Sequence, residues 1–118
     1  MNTATTSRST ANIVVFGFAA GVLVAVPAVV AAVASGGAGH GDYVAARALF
    51  PVPMLFTLLE GGTIGAFSVV VGLLQFPIYG TLLGWGFARK NYLPAAVVTL
   101  AHIVAASACF AGALPNFS

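Results

Sequence analysis

The six formal charges of this 118-residue chain fall at Arg8, Asp42, Arg47, Glu60, Arg89 and Lys90, and that spacing dictates most of what it can become. Between them run long uncharged stretches. Residues 13–34 carry no polar side chain at all, and as a helix they measure about 33 Å, enough to cross the ~30 Å hydrocarbon core of a bilayer. A charged fraction of 5% compares with roughly 25% in soluble domains. The class that fits is an integral, multi-pass membrane protein with one membrane domain over residues 1–118.

Two local features refine the first span. Gly17 and Gly21 form a GxxxG pair, which lets helix backbones approach closely, and Pro27 is expected to kink the outer half. Ala32-Val33-Ala34 before Ser35 has the form of a signal-peptide cleavage site. The apolar run nevertheless exceeds a typical h-region of roughly 7–15 residues, so the segment is expected to stay as a helix. Residues 1–12 are polar and read as an irregular or interfacial tail, and residues 35–42 as a glycine-rich loop.

Length decides how the middle of the chain is divided. Residues 48–88 as one helix would measure roughly 61 Å, twice the hydrocarbon thickness. The chain must turn, and Glu60-Gly61-Gly62-Thr63 offers a charge, two glycines and a threonine between two apolar runs. Residues 63–88 then make a span of about 39 Å. Arg89-Lys90-Asn91, flanked by Trp85 and Tyr92, closes it, and Pro94 sits in the first turn of a last span over 93–113.

Residues 44–59 are ambiguous, because Arg47 lies near their start and Pro51 and Pro53 interrupt them. With Tyr43 and Arg47 snorkelling to the headgroups, the piece reaches about 25 Å and crosses a thinned membrane. The expected fold is therefore all-α, a bundle of four transmembrane helices (13–34, 44–59, 63–88, 93–113), with three as the alternative. Four spans put Arg47, Arg89 and Lys90 on one side against Arg8. Three spans put Arg8, Arg89 and Lys90 together against Arg47, so the positive-inside rule does not choose between them.

The span over 63–88 carries one stripe unlike the rest of its surface. Gly61, Gly65, Ser68, Gly72, Gln75, Tyr79, Leu82 and Gly86 recur at steps averaging 3.5 residues, while Ile64, Phe67, Val71, Leu74, Ile78 and Trp85 form a bulky apolar face. In a bilayer, small and polar residues face protein and greasy ones face lipid. The stripe, and Gly65, Ser68, Gly72, Gln75, Tyr79 and Gly86 above all, is expected to meet neighbouring helices. Gly61 can belong to the turn instead.

Few residues invite chemistry. His102 falls mid-way in the last span among alanines, which admits an axial ligand to haem or a chlorin; the plainer role is a hydrogen bond to Gln75, Tyr79 or Thr99. Pro77 frees the Leu73 carbonyl, which suits an ion path or a simple kink. Glu60 reads as an interfacial carboxylate, and His40, Asp42 and Arg47 as an interfacial cluster. Two potential ligands do not make a metal site. Cys109 is the sole cysteine and reads as a packing residue, without disulfide or CxxC chemistry. The run 61–68 lacks the Gly-Lys-Ser/Thr end of a phosphate loop. No nucleophile–base pair is visible, so catalysis is not expected. The net charge of +2 is too scattered to indicate nucleic acid.

No family is recognised in these residues. The leading expectation is a non-enzymatic helix-packing subunit, with membrane lipids and other membrane subunits or its own copies as partners and no cofactor. The alternatives are a small oligomeric channel or transporter using the Gln75/Tyr79 face, and a haem- or pigment-binding protein through His102.

Overall fold

The computed structural model describes residues 3–37 and 40–115. The fold is all-helical: α1 (Thr3–Gly36), α2 (Val44–Leu49), α3 (Pro51–Phe56) continued by a 3₁₀ turn (Thr57–Glu60), α4 (Ala66–Ala88) and α5 (Leu93–Phe110). Three of these, α1, α4 and α5, are long and apolar enough to cross a membrane.

α1 begins earlier than residue 13. The polar residues from Thr3 onward are helical rather than irregular, because a nucleated helix gains a hydrogen bond for each further residue it fixes. α1 also runs through Pro27 as one element.

α4 lies antiparallel to α1, and glycines set their separation. A Cβ on Gly17 would overlap the Gly80 carbonyl, one on Gly21 the Phe76 carbonyl, and one on Gly80 the Gly17 carbonyl. A Cβ on Gly84 would stand 2.9 Å from the Ile13 carbonyl. Two GxxxG pairs, 17/21 and 80/84, therefore meet backbone to backbone. Ala25 and Ala28, both buried, continue the small face of α1.

The segment expected as a fourth span is not one helix. α2 and α3 have six residues each, about 9 Å apiece, and they meet at an angle at Phe50, whose backbone (φ −126°, ψ 53°) is not helical. The cause is local. A residue before proline is pushed out of the α region, and Pro51 then opens α3 at a position that needs no amide hydrogen.

The resulting hairpin enters and leaves at one end of the bundle. On entry, the Tyr43 amide donates to the Ser35 carbonyl (3.1 Å) and the Ala46 amide to Ser35 Oγ (3.2 Å), both at the end of α1. On exit, the Glu60 carboxylate binds the start of α4. Between these points Leu49 reaches Gln75, near the middle of α4. Gly61 and Gly62 make the exit turn with φ of 73° and 80°, the left-handed region where only glycine is free of strain.

At the far end Lys90 takes the left-handed position (φ 51°) that closes α4, and the Asn91 amide returns to the Gly86 carbonyl at 2.8 Å. Glycine is the usual residue there. α5 then runs back along the hairpin, burying Ala105 and Cys109.

Candidate functional site

The polar centre of the molecule is the tip of the hairpin. Prolines explain why it needs side-chain partners. In an unbroken helix the Leu49 carbonyl would accept from residue 53 and the Ala48 carbonyl from residue 52. Pro53 has no amide hydrogen, and the bend at Phe50 carries residue 52 out of reach. Two distant side chains take over. Gln75 Nε2 donates to the Leu49 carbonyl at 2.7 Å, and His102 Nε2 donates to the Ala48 carbonyl at 2.8 Å. Cys109 Sγ points at the Pro51 carbonyl at 3.4 Å, a weak third contact.

These bonds assign the proton positions. A carbonyl only accepts, so His102 Nε2 carries the hydrogen, and in the neutral ring Nδ1 accepts from Tyr79 Oη at 3.2 Å. Edge-to-face contacts of Phe50 with Phe76, Phe76 with Tyr79 and Tyr79 with His102 (centroids 5.3, 5.9 and 5.8 Å) hold the rings in place. Ligation of a haem or chlorin metal by His102 would require one of two nitrogens that are both already engaged. One atom of the cluster is left over: Gln75 Oε1 is buried without a hydrogen-bond partner, an arrangement that costs about 1–3 kcal/mol.

The stripe on α4 meets three different neighbours. Ser68, Gly72, Gln75 and Gly86 are buried, Gly65 and Tyr79 half-buried, and Leu82 exposed. Gly65 and Ser68 adjoin Glu60. Gly72 faces Pro53 and Phe50 of the hairpin, and Gly86 faces Asn91 and Pro94 at the turn into α5. Gly61 sits in the exit turn. On the other face Ile64, Phe67, Leu74, Ile78 and Trp85 are exposed.

Two features escape a reading of the stripe, the Gly80/Gly84 pair and Glu60. Gly80 and Gly84 lie beside it, on the face toward α1. Their spacing of four, matching that of Gly17 and Gly21, is the signal that finds them. The second is Glu60. Its Oε1 accepts from the Phe67 amide at 2.9 Å, and its Oε2 accepts from the Gly65 and Ser68 amides at 3.2 Å each and from the Ser68 hydroxyl. The carboxylate thus satisfies the otherwise unpaired first amides of α4 and sits at the positive end of its dipole. The Ser68 hydroxyl, with the amides of Ser68, Phe67 and Gly65, lowers the Glu60 pKa, while desolvation opposes them. A capping carboxylate five to eight residues from the amides it binds leaves no short sequence signature.

Asp42 Oδ1 accepts from the Val44 amide at 3.0 Å at the hairpin entrance. Arg47 Nε is buried without a hydrogen-bond partner. Among the described residues no group of three or more His, Cys, Asp or Glu could hold a metal ion. An open-sided apolar cavity of about 370 Å³ lies between α1, the hairpin and α4, with Val33, Phe50, Met54 and Gly72 in its wall. No family model, curated protein or solved structure matches the chain.

Proposed function

We propose that this chain is an integral membrane protein with three spans and one hairpin that dips to mid-depth and returns, and that it serves as a non-enzymatic helix-packing subunit of a membrane complex or homo-oligomer. The observation that carries the reading is where the polar groups go. Gln75, His102 and Cys109 are turned inward onto hairpin carbonyls, as backbone at membrane depth requires. The outward surface is left to groups such as Phe16, Leu23, Phe87 and Val104, which are 65–76% exposed and suit lipid or the apolar face of another helix.

Orientation follows from the charges. Arg8, Arg89 and Lys90 share the end away from the hairpin's mouth, which places the N-terminus inside by the positive-inside rule. Labelling of single cysteines at His40, Gly61 and Lys90, in a Cys109→Ala background, tests the topology. Positions 40 and 61 are expected on one side and 90 on the other. Finding 40 with 90, and 61 opposite, restores the four-span arrangement.

The packing role is tested by purification in mild detergent with mass measurement of the intact particle. A defined stoichiometry with a second membrane subunit, or with further copies of the chain, supports it. A monomer that moves solute in liposomes sinks it in favour of the channel or transporter reading, which the midway position of the hairpin tip favours. A visible absorption band lost in His102→Gln would instead establish pigment or haem binding.

A further inference from the structure

The hairpin reaches only to the level of Gln75. Beyond that level an open-sided groove of about 570 Å³ runs along the seam of α1 and α4. Gly17 and Gly80 lie in its floor, and Phe16 and Phe87, 75% and 76% exposed, stand in its walls. Every lining side chain except Asn12, at the outer end, is apolar. From Asn12 to Ala20 the groove measures about 12 Å along α1, close to half of the ~30 Å hydrocarbon core. That is the depth of the acyl chains of one leaflet. A partner helix crosses both leaflets and would meet these walls for less than half its length.

Charge decides which lipid fits. Gly84 is level with Ile13, and continuing that antiparallel register five residues outward along each helix sets Arg8 level with Arg89, beside Lys90. These residues stand about 8 Å beyond Ile13, in the headgroup layer. Arg8 is also one turn past Asn12, on the helical row that carries Phe16. All three cations are exposed. Both side-chain carboxylates of the protein, Asp42 and Glu60, are at the opposite end, bound to backbone amides. Three of the four Lys and Arg therefore stand at the open end of the groove with no carboxylate side chain among them. A phosphate need not touch all three, because attraction acts over a Debye length of about 8 Å at physiological salt.

We propose that the groove holds one phospholipid of the inner leaflet with a net negative headgroup. One acyl chain lies over Gly17 and Gly80 between the two phenylalanines, and the phosphate sits at the level of Arg8, Arg89 and Lys90. Basic pockets between membrane helices on the cytoplasmic side take anionic headgroups by the same physics. The proposal rests on the membrane placement and inside N-terminus proposed above, and not on the packing role.

The experiment is native mass spectrometry of the full chain in one detergent, titrated with phosphatidylglycerol and with phosphatidylcholine of identical acyl chains. One phosphatidylglycerol per chain is expected to bind saturably. Its affinity should exceed that of phosphatidylcholine about 100-fold, at about fivefold for each basic residue near an anionic headgroup. Arg8→Gln/Arg89→Gln should remove about 25-fold of that preference by the same reckoning and leave phosphatidylcholine unchanged. Phe16→Ala/Phe87→Ala should weaken both lipids alike. Equal affinity for the two lipids overturns the proposal, and so does a preference that survives Arg8→Gln/Arg89→Gln in full. Unchanged binding in Phe16→Ala/Phe87→Ala also overturns it, since the lipid is then held outside the groove. Should that variant fail to fold, the charge variant decides. A lipid-free dimer that Phe16→Ala/Phe87→Ala dissociates is refutation in favour of a second copy as the occupant. Lys90→Cys labelled from outside overturns the orientation and the proposal together, whereas position 90 inside with no lipid bound overturns the site alone. A monomer that carries the lipid sinks the packing role and leaves the site standing.

Discussion

Along α4, the face toward α1 and the face toward the hairpin hold their neighbours by different physics. Against α1 the contact is backbone on backbone, with glycine opposite glycine and no space for a single added carbon at Gly17, Gly21 or Gly80. Against the hairpin the contact is made by side chains reaching for carbonyls, and a Cβ on Gly72 would meet Pro53 Cγ at an ordinary 3.5 Å. In the bilayer proposed for this chain, lipid offers no hydrophobic drive between helices, so close packing on the first face must supply the attraction. The second works because a broken helix cannot leave its carbonyls unmet away from water. One face is therefore intolerant of volume and the other intolerant of lost hydrogen bonds.

The largest effect is expected where the two backbones touch. Gly21→Leu forces a side chain into the Phe76 carbonyl and should cost about 3 kcal/mol, the upper end of overpacking, or prevent assembly of the bundle. Unfolding in a denaturing detergent series measures it. A variant as stable as the parent would mean the α1–α4 seam is not close-packed, and the comparison would collapse.

Gly72 sharpens it. Gly72→Leu should cost about 1–3 kcal/mol by overpacking against Phe50 and Pro53, while Gly72→Ala should be nearly silent because its Cβ has room. Val70→Leu, two positions away at an exposed site, should also be silent. Helix propensity cannot produce that pattern, since both alanine and leucine exceed glycine. If Gly72→Ala proves as damaging as Gly72→Leu, the hairpin face is as tight as the α1 face.

His102 probes the polar logic in isolation. His102→Gln keeps a donor for the Ala48 carbonyl and gives up the bond with Tyr79. A loss near 0.6 kcal/mol, the average for hydrogen bonds between membrane helices, is expected in the same unfolding assay. A loss several times larger would show that the cluster acts cooperatively.

Glu60 sets the smallest effect, confined to acid. Its pKa is lowered from the ordinary 4.5, chiefly by the Ser68 hydroxyl. A depressed carboxylate contributes stability above its unfolded value and loses it as pH falls through the folded one. Tm should thus hold from neutrality down to the ordinary glutamate range and decline below it. Glu60→Gln should flatten that acid limb, and an unchanged limb would remove Glu60 as the cap of α4.

Hydropathy and length are local quantities, and the sequence by itself determines what depends on them. Uncharged runs bounded by Arg8, Glu60 and Arg89-Lys90 specify the helical class and the three long apolar helices. The turn at Glu60 to Thr63 and the start of α5 at Pro94 are also legible, because charge, glycine and proline act within a few residues. The direction taken after Phe50 is not. Pro51 and Pro53 announce a break, but whether the chain continues across or folds back depends on who meets the stranded carbonyls. Those partners, Gln75 and His102, lie 26 and 54 residues further on. A short apolar run with an arginine near its start reads as a thin span on length alone, which says nothing of that pairing. Likewise the small residues of α4 stand out at their helical spacing, yet only the tertiary structure sorts them. Gly80 and Gly84 go to α1, Gly72 and Gln75 to the hairpin, Gly65 and Ser68 to Glu60. A glycine records that something comes close; what comes close is decided by the element packed against it.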